Sequence, residues 1–161
     1  LEPYDDEISG EVELQEENVN PYKTRVKICG QMSEESGLEK AYCCIASNAR
    51  DFARLGKLYR DNGKWNGKQL LDSTFVATSV QPRFAESPEY GYGWWLLDYK
   101  DTHFFMMRGH LGQYVIVNPT DKVIIVRLGH RTADTSPEGS KFTQDIYDYI
   151  DEAYKMLGVR G

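Results

Sequence analysis

At 161 residues the chain suits one domain, and a domain of that size buries roughly two thirds of the surface its unfolded form exposes, so a packed core needs no staples. The net charge of −6 is concentrated at one end: residues 1 to 20 hold Glu2, Asp5, Asp6, Glu7, Glu11, Glu13, Glu16 and Glu17 with no Lys or Arg, and the rest carries 17 acids against 19 bases. A near-neutral body without a basic stripe excludes nucleic acid as a partner, and no apolar run approaches the ~18 residues of a membrane-spanning helix.

Cys29, Cys43 and Cys44 make an odd count with two adjacent members, so no disulfide framework can be read and buried structural thiols are expected. Neither these nor His103, His110 and His130 have the close spacing of a zinc site, so no metal is expected. The chain opens at Leu1 without a signal-like segment and reads as a piece of something longer.

In chain order, Val12 and Leu14 alternate with Glu11, Glu13 and Gln15, and Val26 and Ile28 alternate with Arg25, Lys27 and Cys29. Two half-buried strands joined across residues 18 to 22 are predicted, an acidic one facing a basic one, with an acidic leader as the alternative. From Ser47 the period turns helical. Phe52, Leu55, Gly56 and Tyr59 share one face, Ser47 or Asn48 caps the start, and Asn62-Gly63 ends it.

Asn66-Gly67 marks a tight turn, Asp72 caps a short helix that stops before Pro82, and residues 81 to 89 form a loop. Residues 90 to 99, 103 to 109, 113 to 118 and 123 to 129 then read as successive strands. FFMM, YVIV and VIIV within them are continuous apolar runs, which predicts a sheet covered on both faces. Phe142, Ile146, Ile150, Ala153 and Leu157 recur at helical spacing, opened by Ser140 or Ser136-Pro137 and closed by Gly158. The fold class is α+β: an antiparallel sheet flanked by helices, with residues 1–36 unplaced as leader or hairpin and 37–161 as the main body.

Three stretches carry a family likeness in order as well as content. GLEKAYCCIASNARDFARLGKLYRDNGKWNGKQLL, YGYGWWL and RGHLGQYVIVNPTDKVIIVRLG resemble the C-terminal part of the serine β-lactamase and penicillin-binding family, on the branch of class C enzymes, D-aminopeptidases and esterases. The likeness spans about residues 37 to 157. It implies that residues 47 to 62 belong to the family's helical domain and that His110-Leu111-Gly112 stands where the family has Lys-Thr-Gly or His-x-Gly, on the strand lining the active site.

By that resemblance His110 contacts the substrate carboxylate or assists proton transfer, Leu111 and Gly112 bind substrate with Gly112 admitting its backbone, and the N–H of Gln113 is one of two oxyanion donors. The chemistry agrees, because acyl transfer needs donors aimed at the developing oxyanion, and removing one costs about 2.7–4 kcal/mol. An imidazole can act as general acid or donor.

Two motifs of the family do not occur. No Ser has Lys three residues on, and Ser47-Asn48-Ala49-Arg50 ends in a residue whose pKa is too high for a base; no Tyr has Asn two residues later. The chain therefore reads as the C-terminal fragment of a serine hydrolase whose nucleophile lies upstream, silent by itself. A non-catalytic binding or interaction module derived from the same fold is the alternative, and a generic α+β domain is the plainest reading. The resemblance implies that the parent works without a cofactor on a small molecule or a peptidoglycan-like peptide, in a periplasmic or extracytoplasmic setting. An apolar edge along residues 123 to 129 is expected to pair with 11–15 or 24–29, from the same chain or from a second copy in a homodimer.

Overall fold

The computed structural model describes residues 27–28 and 45–158, in two compact units, 1–51 and 52–161. In the first unit β1 (Lys27–Ile28) pairs antiparallel with β2 (Ile45–Ala46), Lys27 opposite Ala46. Of the hairpin predicted near the start, residues 11–15 lie outside the described residues, and the described partner of 27–28 is 45–46.

Helix α1 (Ala49–Arg60) begins as its capping residues predict. Asn48 Oδ1 accepts from the Asp51 N–H at 3.0 Å, satisfying a donor of the first turn. It ends on Asn62 (φ 55°) and Gly63 (φ 80°), with the Gly63 N–H returning to the Leu58 carbonyl. Strands β3 (Lys64–Trp65) and β4 (Lys68–Gln69) pair around Asn66 (φ 47°) and Gly67 (φ 78°), two consecutive positive-φ residues that match the twist of a two-residue hairpin. Asp72 caps α2 (Ser73–Ser79) by accepting from the Phe75 N–H at 2.8 Å.

The second unit is built on a four-stranded antiparallel meander: β5 (Trp95–Tyr99), β6 (Thr102–Arg108), β7 (Tyr114–Asn118) and β8 (Val123–Arg127), in that spatial order. The strand predicted from residue 90 begins only at 95. Gly91 lies against the Ser79 carbonyl, which accepts from the Tyr92 N–H, and Gly93 takes φ 79°, so 90–94 folds onto the end of α2. Only glycine permits that approach.

The continuous apolar runs are explained by burial on both sides of the sheet. All five residues of β7 are buried. Leu97, Phe104, Met106, Tyr114 and Ile116 pack with Phe142, Ile146, Ile150 and Tyr154 on one face. Leu96, Phe105, Val115 and Val117 pack with Trp94, Phe52 and Tyr59 on the other. Gly56 lets α1 lie close to that second face, since a Cβ there would stand 3.0 Å from Val115 and 3.1 Å from Val117.

Helix α3 (Gln144–Leu157) covers the first face and stops at Gly158 (φ 64°) as its sequence predicts. Its start differs from both predicted openings: Thr143 is the N-cap, and the Gln144 N–H donates to the Thr135 carbonyl. Ser140 is engaged elsewhere, its hydroxyl 2.7 Å from that of Tyr147 and accepting from the Phe142 N–H. The buried stripe also shifts at its end. Leu157 is 55% exposed, and Tyr154 takes the inner position because its hydroxyl reaches Asn118 and Asp121 in the β7–β8 turn. Among the described residues β8 pairs with β7, Tyr114 opposite Arg127.

Candidate active-site edge

The register of the meander sets three side chains in a row. Tyr114, first in β7, stands opposite Arg108 on one side and Arg127 on the other, so all three share the face covered by α3. Past that row β6 and β7 separate into a hairpin loop, residues 109–113, while β8 runs on into 128–131.

The loop is tight. The Gly109 N–H donates to the Gln113 carbonyl at 2.7 Å and the Gly112 N–H to the Gly109 carbonyl at 3.2 Å, with Gly112 at φ 81°. His110 and Leu111 are exposed at its tip, Gly112 is buried and Gln113 is half-buried. The residues predicted to lie on a strand thus sit in the loop that leads into β7. A positive φ at Gly112 is incompatible with extended backbone.

Two long side chains stitch this loop to the one after β8. Arg127 Nη1 donates to the Gly112 carbonyl at 2.6 Å and to the Arg131 carbonyl at 2.5 Å. Gln113 Nε2 donates to the Gly129 carbonyl at 2.6 Å, and its Oε1 accepts from the Leu111 N–H. The Arg127 guanidinium lies over the rings of Tyr114 and Tyr149, at 5.7 and 5.4 Å.

Beneath it, burial pushes the Tyr114 phenol up, with the Asp145 carboxylate beside it adding to the rise; the hydroxyl donates to Asp145 at 3.2 Å. Arg108 covers Trp95 and Phe142 and donates to the Lys141 carbonyl. Lys141 in turn holds the Glu89 carboxyl below its usual range through an ion pair at 2.9 Å. Glu89, Tyr90 and Trp95 line a groove of about 400 Å³ on this flank.

Chemically the edge offers backbone N–H groups beside a glycine, an exposed imidazole and two guanidinium groups. His103 belongs elsewhere: it pairs with Asp98, its cross-strand neighbour on β5, at 2.7 Å. Among the described residues no group of three His, Cys, Asp or Glu side chains gathers to hold a metal, and no helix is long and apolar enough to cross a membrane. Arg108, Arg127 and the Gln113 side chain escaped sequence reasoning. Their only signal was an Arg ending each of two apolar runs with glycine one or two residues on, as Arg108-Gly109 and Arg127-Leu128-Gly129.

The family model described as Beta-lactamase matches residues 11–147, starting upstream of residue 37, where the likeness read from the sequence begins. A solved structure from Bacillus anthracis, described as a 6-aminohexanoate-dimer hydrolase, is similar with 25% identity and a TM-score of 0.58. The match covers 79% of this chain and 34% of that one, so this chain spans about a third of that structure's length. Comparison with curated proteins finds no match.

Proposed function

This chain belongs to the β-lactamase family, and from that premise we propose that it is the C-terminal portion of a penicillin-binding-type serine hydrolase, on the branch of class C enzymes, D-aminopeptidases and esterases. The nucleophilic Ser and its Lys come from an upstream segment. In acyl transfer the Ser oxygen bonds to the substrate carbonyl carbon, its proton passes to the base, and the carbonyl π pair moves onto oxygen. Collapse breaks the C–N or C–O bond as the leaving group takes the proton, and water then releases the acyl group by the same route.

The observation that carries this reading is the 109–113 hairpin at the head of β7, with Gly112 at φ 81° and His110 exposed. Gln113 would give its N–H to the oxyanion, Gly112 would admit the substrate backbone, Leu111 would flank it, and His110 would meet a substrate carboxylate or move a proton. A β-lactam, a D-amino-acid peptide and an ester are candidate substrates, in a periplasmic or extracytoplasmic setting. The structural likeness adds a 6-aminohexanoate dimer. The absence of Ser-x-x-Lys from the chain favours one second reading, a binding module that kept the sheet and not the chemistry.

The test uses the protein read through from the upstream reading frame. A fluorophosphonate should label one Ser there and none in the 161-residue chain. His110→Ala should lower kcat/KM at least about tenfold, about 1.4 kcal/mol, with folding unchanged. Labelling of the short chain, or wild-type kinetics in the variant, would reject the assignment.

A further inference from the structure

The peptide joining Gly112 to Gln113 holds both a gripped atom and a working one. Its oxygen is the Gly112 carbonyl that Arg127 Nη1 binds at 2.6 Å; its N–H is that of Gln113. A trans peptide is planar, and its C=O and N–H point in opposite directions. Fixing the oxygen toward Arg127 therefore aims the Gln113 N–H away from it.

We propose that Arg127 is a positioning residue for acyl transfer, its guanidinium holding the Gly112 carbonyl so that the Gln113 N–H is fixed as an oxyanion donor. The proposal rests on the reading of the 109–113 hairpin given above. A cation on the carbonyl also polarises the amide, which makes its N–H a stronger donor.

Three features show a place built for this group. Gly112 and Gly129 both leave room that the guanidinium fills, since a Cβ at either would run into it. The rings of Tyr114 and Tyr149 lie beneath the same group and set its height. The second acceptor, the Arg131 carbonyl, joins the loop after β8 to the same donor, and Gln113 adds a parallel tie to Gly129. The hairpin is thus referenced to the end of β8, a rigid element, and a donor held by a rigid frame needs no reorganisation during reaction. Lysine, a point charge without the planar fork, cannot reproduce the stacked geometry together with both bonds.

The first measurement is on the 161-residue chain. In Arg127→Ala, the Gln113 amide resonance should shift and its ¹⁵N order parameter should fall, while the amides of β7 keep their protection from exchange. An unchanged Gln113 amide overturns the proposal. The second is on the upstream-extended protein. Arg127→Ala should lose kcat about tenfold or more with KM within about threefold. Methylguanidinium at tens of millimolar should restore part of the loss, and urea or NaCl should not; Arg127→Lys should fall between wild type and Arg127→Ala. Normal kcat, or equal rescue by NaCl, overturns the proposal. His110→Ala separates the two ideas: if it alone impairs catalysis, the hairpin reading stands and the role of Arg127 fails; if neither variant does, the hairpin reading itself fails.

Discussion

Gly112→Ala tests how tightly the hairpin and Arg127 depend on each other, and Gly67→Ala is its internal control. Both glycines have nearly the same backbone, φ 81° and 78°, but a Cβ at Gly67 meets nothing within 4 Å, whereas one at Gly112 strikes the Arg127 guanidinium and the Arg131 carbonyl. Left-handed backbone costs an L-residue about 1–2 kcal/mol, offset by the ~0.4–1 kcal/mol gained from a stiffer unfolded chain. Gly67→Ala should therefore destabilise by about 1 kcal/mol.

Gly112→Ala carries the same backbone cost and must also displace the guanidinium from two carbonyls. A hydrogen bond to a charged group is worth about 1.5–3 kcal/mol, and water replaces part of that at a loop, so about 2–3 kcal/mol is added. Urea unfolding of the 161-residue chain, followed by tryptophan fluorescence, should separate the two variants by that amount. In the Arg127→Ala background the Arg131 carbonyl is released as well, and Gly112→Ala should fall back to about 1 kcal/mol, a coupling of about 2 kcal/mol. Equal costs at the two glycines, or additivity with Arg127→Ala, would refute the reasoning.

Asn118 is 1% exposed and makes four bonds: its amide donates to Asp121 and to the Tyr154 hydroxyl, and its oxygen accepts from the N–H groups of Thr120 and Asp121. Asn118→Ala should cost about 2–4 kcal/mol at roughly 1 kcal/mol per bond, read as a fall in Tm of several degrees; a loss below about 1 kcal/mol would show that the turn does not tie β7 to α3. Asp61 is held at about 2, from 3.8, chiefly by its hydrogen bond with Arg60 and also by Lys57. A folded pKa below the unfolded one stabilises above pH ~4 and loses that contribution as pH falls toward ~2. Asp61→Asn should thus cost about 1 kcal/mol at pH 7 and no more than a few tenths at pH ~2, in paired melts across that range; an undiminished difference at pH ~2 would assign the effect to packing.

Local spacing made much of the fold readable in advance. The capping side chains of Asn48 and Asp72, the Asn66-Gly67 turn and the terminal Gly158 each act within a few residues, through bonds and φ values that the residue types themselves prefer. The unbroken apolar runs announced a doubly covered sheet, and His110-Leu111-Gly112 drew notice through its resemblance to a family motif. What stayed hidden depended on contacts between segments. Tyr154 displaces Leu157 from the core because its hydroxyl finds Asn118 across the helix–sheet interface, and α3 starts at Thr143 because Gln144 meets the Thr135 carbonyl. Arg127 reads in isolation as a solvated charge at a strand end. Only the register of β7 with β8 sets it beside Tyr114, 15 residues from the Gly112 carbonyl it holds, and a one-residue slip would send it to the opposite face of the sheet.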